Sequence, residues 1–170
     1  ALVFALFKVG AVMVAVDPGM GIKNLGKCLV ETEPGAFIGI RKAHIARKLF
    51  GWARKTIKTN IIVDPGFIPK IFYGQHSKSL ADIKKQGADN DETISNNTTQ
   101  ADDMAAILFT SGSTGVPKGV IYTHTNFNSQ TLALKNLYNL QPGEVDLSTF
   151  PLFALFATAL GMTSIVPDMD

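Results

Sequence analysis

Cysteine is almost absent from this chain: Cys28 is the only one in 170 residues. An internal disulfide and a cysteine-rich zinc cluster are both excluded, which fits a reducing, cytoplasmic setting. Long apolar runs are also scarce. The opening stretch from Ala1 to Val16 is interrupted by Lys8, has no basic segment before it and no small-residue cleavage site after it, so it is a poor signal peptide. The stretch from Phe150 to Val166 falls short of the ~20 residues a membrane span needs. It also contains Pro151, Thr158, Gly161, Thr163 and Ser164. No transmembrane segment is expected. Acidic side chains are few in one half only: residues 1–86 carry 14 basic and 5 acidic groups (+9), residues 87–170 carry 2 and 9 (−7). The net charge of +2 is too small to demand a nucleic-acid partner, and the two halves complement each other.

At 46% hydrophobic and 18% charged residues, the chain has the apolar material for a packed core, and disorder of the whole is excluded. It begins with alanine inside a hydrophobic element and stops just after a strand-like segment, as expected of a piece of a longer protein.

Helical and strand signals alternate. Helices are expected at 1–9, 21–33, 42–55, 79–86, 126–140 and 155–162, and strands at 11–16, 36–40, 60–63, 71–73, 104–110, 119–122, 145–150 and 163–166. Strands separated by helices imply βαβ units, a mainly parallel sheet and an α/β fold. The two Asp-Pro-Gly turns at Asp17 and Asp64 have flanks that do not align, so they mark strand ends and not a repeat. Between Gly87 and Asp103 the composition turns to Asn, Asp, Thr, Ser and Gln, which marks a polar surface linker. The expected organisation is a first α/β portion (1–86), the linker (87–103) and a second α/β portion (104–170).

In the helix expected at 42–55, Ile45, Leu49, Trp52 and Ala53 recur at helical spacing. Arg41, Lys42, Arg47, Lys48, Arg54, Lys55 and Lys58 would then form the solvated back of a buried face and not a nucleic-acid or membrane site. His44 and His76 lack a Cys, Asp or His partner at ligand spacing, so no metal is expected at either. Asn96 and Asn97 begin glycosylation sequons, but without a secretory route they read as linker residues. Asp102 and Asp103 read as solvated linker residues, and Cys28 as a small buried apolar one.

One segment carries chemistry. From Thr110 to Gly119 the chain reads Thr-Ser-Gly-Ser-Thr-Gly-Val-Pro-Lys-Gly, a strand end opening into three glycines, four hydroxyls and one lysine. Glycines let backbone N–H groups approach oxygens closely, hydroxyls donate to phosphate, and lysine supplies a compact positive charge. The P-loop of kinases does not fit. Counted from Gly112, Pro117 stands where its second glycine belongs and Gly119 where its magnesium-binding hydroxyl belongs. A strand-like Val120, Ile121, Tyr122 follows in place of a helix N-terminus.

The ten positions instead resemble the phosphate-binding loop of the adenylate-forming superfamily, which includes acyl-CoA synthetases and the adenylation domains of peptide synthetases. Two other segments agree in order and spacing: Phe7 through Gly10, Ala11 and Val16 to Pro18, and His124 with Asn126, where His124 reads equally as a pocket residue or a helix cap. The resemblance spans nearly the whole chain but only part of a full-length family enzyme. It implies that ATP, with Mg, activates a carboxylic acid as an acyl-adenylate with release of pyrophosphate. Thr110, Ser111, Gly112, Ser113, Thr114, Gly115 and Lys118 would contact ATP or pyrophosphate.

Where many members carry a histidine after Pro-x-x, this chain has Ala154, in Phe150-Pro-Leu-Phe-Ala-Leu-Phe156. That segment and the Val16-Asp-Pro-Gly-Met-Gly21 turn are similar to the β-lactone synthetases of bacterial olefin biosynthesis, which close a β-hydroxy acyl-adenylate to a lactone. Phe153, Ala154 and Phe156 would line the acyl pocket for a long alkyl chain. No segment resembles the family's later motifs, the ribose-binding aspartate or the C-terminal lysine. The resemblance therefore places no catalytic residue in these 170 and implies that the remainder of the chain is needed for activity. The alternatives are a fatty acyl-CoA synthetase and a polyphosphate-binding module without catalysis.

Overall fold

The computed structural model describes residues 1–64, 77–89, 99–110, 117–149 and 153–167. The chain divides into two compact units: Ala1–Thr99 with Ala106–Ile121, and Gln100–Ala105 with Tyr122–Asp170. The elements run α1 (Leu2–Lys8), β1 (Met13–Ala15), α2 (Ile22–Glu31), β2 (Ala36–Gly39), α3 (Arg41–Phe50), β3 (Thr59–Ile62), β4 (Ser77–Ser79), α4 (Leu80–Asp89), β5 (Met104–Thr110), β6 (Lys118–Thr123), α5 (His124–Tyr138), β7 (Val145–Leu147), α6 (Ala154–Ala159) and β8 (Thr163–Ile165). The α/β class and the parallel pairing expected from the alternation are present.

In the first unit, β1 pairs in parallel with β5, Val14 opposite Ile107, and the sheet order is β1-β5-β6. The chain before the polar stretch at 87–103 and the chain after it therefore share a sheet. A second sheet, β2-β3-β4, is wholly parallel, with Ile38 opposite Ile61 and Ile61 opposite Lys78. Between β1 and α2, Asp17 accepts a hydrogen bond from the Gly19 amide at 2.8 Å and Pro18 opens a single 3₁₀ turn, the strand-end chemistry expected there. The hydrophobic cluster gathers Leu29 of α2 with Trp52, Ala53 and Ile57, flanked by Leu25, Phe37 and Ala46. Cys28 is buried, and burial pushes its thiol up, with Glu31 adding to the shift.

The third helix departs from expectation. It stops at Phe50 because Gly51 takes a left-handed conformation (φ 66°) and caps it. Trp52 and Ala53 thus belong to the following turn and do not share the helix phase. They are buried, whereas Ile45 is 39% and Leu49 76% exposed. The inward side of α3 is formed instead by His44 and Arg47, with Ala46 against the cluster. His44 is 1% exposed, its Nε2 lies 3.1 Å from the Ile61 carbonyl, and its ring meets Phe37 edge-on at 5.0 Å. Arg47 donates to Asn60 Oδ1 at 2.8 Å and stands over the Phe37 ring.

β4 was not expected, since Ser-Lys-Ser shows no apolar alternation; it pairs with β3 and ends where Ser79 Oγ accepts the Asp82 amide to start α4. The strand expected at 71–73, His76, Asn96 and Asn97 lie outside the described residues. In the second unit, α5 begins two residues earlier than its periodicity suggests, and β7 pairs in parallel with β8, Asp146 opposite Ser164. Ser148 is buried and bonds both Asp146 and Ser164, the latter at 3.0 Å. Among the described residues no helix is long and apolar enough to cross a membrane.

Candidate functional site

β5 reads as a continuous apolar run because it is the middle strand of its sheet, with Ala105, Ala106 and Phe109 buried. It ends at the exposed Thr110, and the chain returns at the exposed Lys118 to form the neighbouring strand. Residues 111–117 join the two, far too few for a parallel crossover. The hydroxyl and the ammonium that flank the motif are thus held at the two feet of one short connection between hydrogen-bonded strands. Ser111, Gly112, Ser113, Thr114 and Gly115 lie outside the described residues.

Gly119 has a packing role that its place in a phosphate motif does not disclose. A Cβ at this position would lie 3.2 Å from Ile107 Cγ2 and from two ring atoms of Phe109. The missing side chain lets the buried Phe109 ring lie against β6 immediately beside Lys118. Glycine is required here by close approach and not by a left-handed backbone.

In the second unit, Thr123 caps α5. Its Oγ1 accepts from the Asn126 amide at 3.2 Å, and Asn126 Oδ1 accepts from the Thr123 amide at 2.8 Å, a reciprocal capping box with Asn in the reaching position. His124 is the first residue of the helix, and its amide donates to the Asp103 carbonyl. The two aspartates serve the same corner: Asp102 accepts from Thr125 Oγ1 at 3.1 Å and Asp103 from the Gln100 amide at 2.8 Å. Among the described residues no group of three or more His, Cys, Asp or Glu side chains could hold a metal. A carboxylate-rich donor set for Mg is therefore not found among them.

The acyl-pocket candidates Phe153, Ala154 and Phe156 open α6. Phe153 is 58% exposed and 6.4 Å from the Phe156 ring; Phe156 continues to Phe127 at 6.1 Å and Phe127 to Tyr122 at 5.2 Å. These form one aromatic file in the second unit, while Thr110 and Lys118 belong to the first. Phe156 is half-buried in that file, and Phe153 is its exposed member.

Comparison with known proteins bears on family and fold. The profile of the AMP-binding enzyme family matches residues 1–166. The chain is 51% identical over 169 residues to the olefin beta-lactone synthetase of Xanthomonas campestris, covering 99% of this chain and 29% of that protein. It is 32% identical over 119 residues to fatty acyl-CoA synthetase A of Dictyostelium discoideum, 66% of this chain and 18% of the relative. Among solved structures, ATP-bound MatB from Rhodopseudomonas palustris superposes with a TM-score of 0.73 at 24% identity, over 99% of this chain and 33% of that one, a likeness of fold. The chain thus spans under a third of the length of the first of these relatives. With the family match running from residue 1 to residue 166, the assignment follows: this chain belongs to the AMP-binding enzyme family.

Proposed function

We propose that the natural protein carrying this sequence is a cytoplasmic, ATP-dependent ligase that activates a long-chain β-hydroxy carboxylic acid and closes it to a β-lactone. The observation that carries this is the 51% identity to an olefin beta-lactone synthetase over almost the entire chain. In the first step a carboxylate oxygen of the substrate attacks the α-phosphorus of ATP. The bond to the bridging oxygen breaks, and its electron pair leaves on pyrophosphate. In the second step the substrate's β-hydroxyl oxygen attacks the acyl carbon, gives up its proton, and AMP departs with the electrons of the acyl–oxygen bond.

The residues present here serve the leaving group. Negative charge grows on the departing pyrophosphate, and this reading assigns Thr110, Ser111, Ser113, Thr114, the amides of Gly112 and Gly115, and the Lys118 ammonium as its donors. Loss of one such preorganised donor costs ~3 kcal/mol in the transition state. Phe153, with Ala154 and Phe156, offers an apolar wall to the alkyl chain, and alanine at 154 leaves room beside it. By this proposal, the groups that hold adenine and ribose come from sequence outside these residues.

The test is made on the natural full-length protein with ATP and a β-hydroxy fatty acid. Expected are pyrophosphate release and a product one water lighter than the acid, formed without coenzyme A. Lys118→Ala should lower kcat/KM by roughly 10²–10³ with the melting temperature unchanged. A thioester formed only when coenzyme A is added would assign the second step to the acyl-CoA synthetase reading, which the Dictyostelium relative favours. Binding of ATP with no pyrophosphate released from it in the presence of any carboxylic acid would overturn both.

A further inference from the structure

The exposure of α3 leaves the basic run with a different meaning from a solvated back. Between Arg41 and Lys58 there are seven basic residues and no acidic one. Arg47 turns inward to Asn60, and Arg41 lies 3.8 Å from Asp64. Lys42, Arg54, Lys55 and Lys58 are exposed, and Lys48 is half-buried. In the midst of these charges sit Ile45 and Leu49, one helical turn apart and outward-facing. Lys42, Ile45 and Leu49 fall within an arc of about 60° on the helix surface. Beside the end of α3 a shallow groove of about 450 Å³ runs past Lys23, Lys27, Val30, Phe50, Gly51 and Trp52. Its two lysines are one turn apart on α2, its Phe50 and Val30 are exposed, and Glu31 is its acidic member.

We propose that this face of the first unit docks the protein onto a membrane surface that carries anionic lipid. A basic surface with protruding aliphatic side chains suits the boundary between headgroups and acyl chains: lysines meet the lipid phosphates while Leu49 and Ile45 enter the apolar layer. Charge complementarity selects the partner. Nucleic acid would also meet the cations, but it has no use for exposed leucine and isoleucine. Trp52, the aromatic best suited to base stacking, is buried under Phe50, ring on ring at 5.5 Å. The helix of 10 residues presents too little apolar area to hold without the charges, so docking requires anionic lipid and weakens with salt. The inference concerns binding alone and stands independently of the proposed reaction.

The experiment is sedimentation of the natural full-length protein with vesicles of phosphatidylcholine alone and of phosphatidylcholine with about one-third phosphatidylglycerol, at ~0.1 M salt where charges are only partly screened. Binding is expected to the phosphatidylglycerol vesicles alone. Leu49→Ser should weaken it about tenfold, from the loss of an inserted leucine. Lys42→Glu with Lys55→Glu should weaken it by at least about 25-fold, from some fivefold per cation. Neither should lower the melting temperature, since all three side chains are exposed. No binding to phosphatidylglycerol vesicles overturns the proposal. So does binding that Leu49→Ser leaves intact, or duplex DNA binding of equal strength, which would assign the face to nucleic acid. A marked loss of thermal stability in Leu49→Ser would show that the rest of the chain covers this face, and would overturn it as well.

Discussion

Replacing Gly26 with alanine should destabilise the protein although alanine is the better helix former. Gly26 sits inside α2, where glycine costs about 1 kcal/mol relative to alanine. A Cβ built at this position would stand 2.8 Å from both Cδ1 and Nε1 of Trp52. That indole is 8% exposed and belongs to the cluster with Leu29, Ala53 and Ile57, so it cannot simply swing away. Overpacking of this kind costs roughly 1–3 kcal/mol, and after the propensity gain a net loss of about 1 kcal/mol remains. With a urea slope of ~2 kcal/mol/M, the unfolding midpoint of the natural chain should fall by ~0.5 M. Gly87→Ala in α4 is the control, because nothing lies within 4 Å of its would-be Cβ. It should raise the midpoint through roughly 0.5 kcal/mol of propensity. A midpoint that rises in both variants would show that Trp52 does not press on α2 and would refute the packing described for the first unit.

Two further outcomes are expected. Burial holds the His44 imidazole below its ordinary value; the bonds to backbone carbonyls at Ile61 and Gly39 oppose that shift and Arg47 adds to it. The unfolded chain then binds the extra proton first, so stability is flat above about pH 6.5 and falls as the pH drops through the folded value. Urea midpoints for wild type and His44→Gln should diverge in acid and run parallel above neutrality; equal slopes below pH 6.5 would remove His44 from the account. Asn126→Ala breaks the capping box of α5 and should cost about 1 kcal/mol, read as faster amide exchange over His124–Tyr138, whereas unchanged exchange would mean that Thr123 alone suffices.

Legibility followed how local each determinant is. β5 was readable to the residue because a central strand needs apolar side chains on both faces, and Met104–Thr110 supplies them without interruption. The family was readable because the residues from Thr110 to Gly119 that mark it are contiguous. The packing demand at Gly119 was not, since it comes from Ile107 and Phe109 across the sheet. β4 was invisible for a similar reason: Ser77–Ser79 is a strand only because β3 lies beside it. α5 was misjudged at its start because Thr123 and Asn126 cap each other, a pair that could have been recognised as a helix start.

The helix from Arg41 shows how one conformational detail alters a functional inference. Counting Ile45, Leu49 and Trp52 as a single face assumes that the helix continues past residue 50. Gly51 after Lys48 and Phe50 is itself a helix stop signal, and once the chain takes its left-handed turn there the phase is lost. Trp52 goes into the core by way of the turn, while Ile45 and Leu49 are left in solvent. The inward side then falls to His44, Ala46 and Arg47, and β3 offers the Ile61 carbonyl to His44 and the Asn60 amide oxygen to Arg47. Turning that side inward is what releases the aliphatic residues to the surface. The exposed cations Lys42, Arg54, Lys55 and Lys58, unremarkable behind an apolar face, become with Leu49 a surface with both features an anionic lipid interface requires.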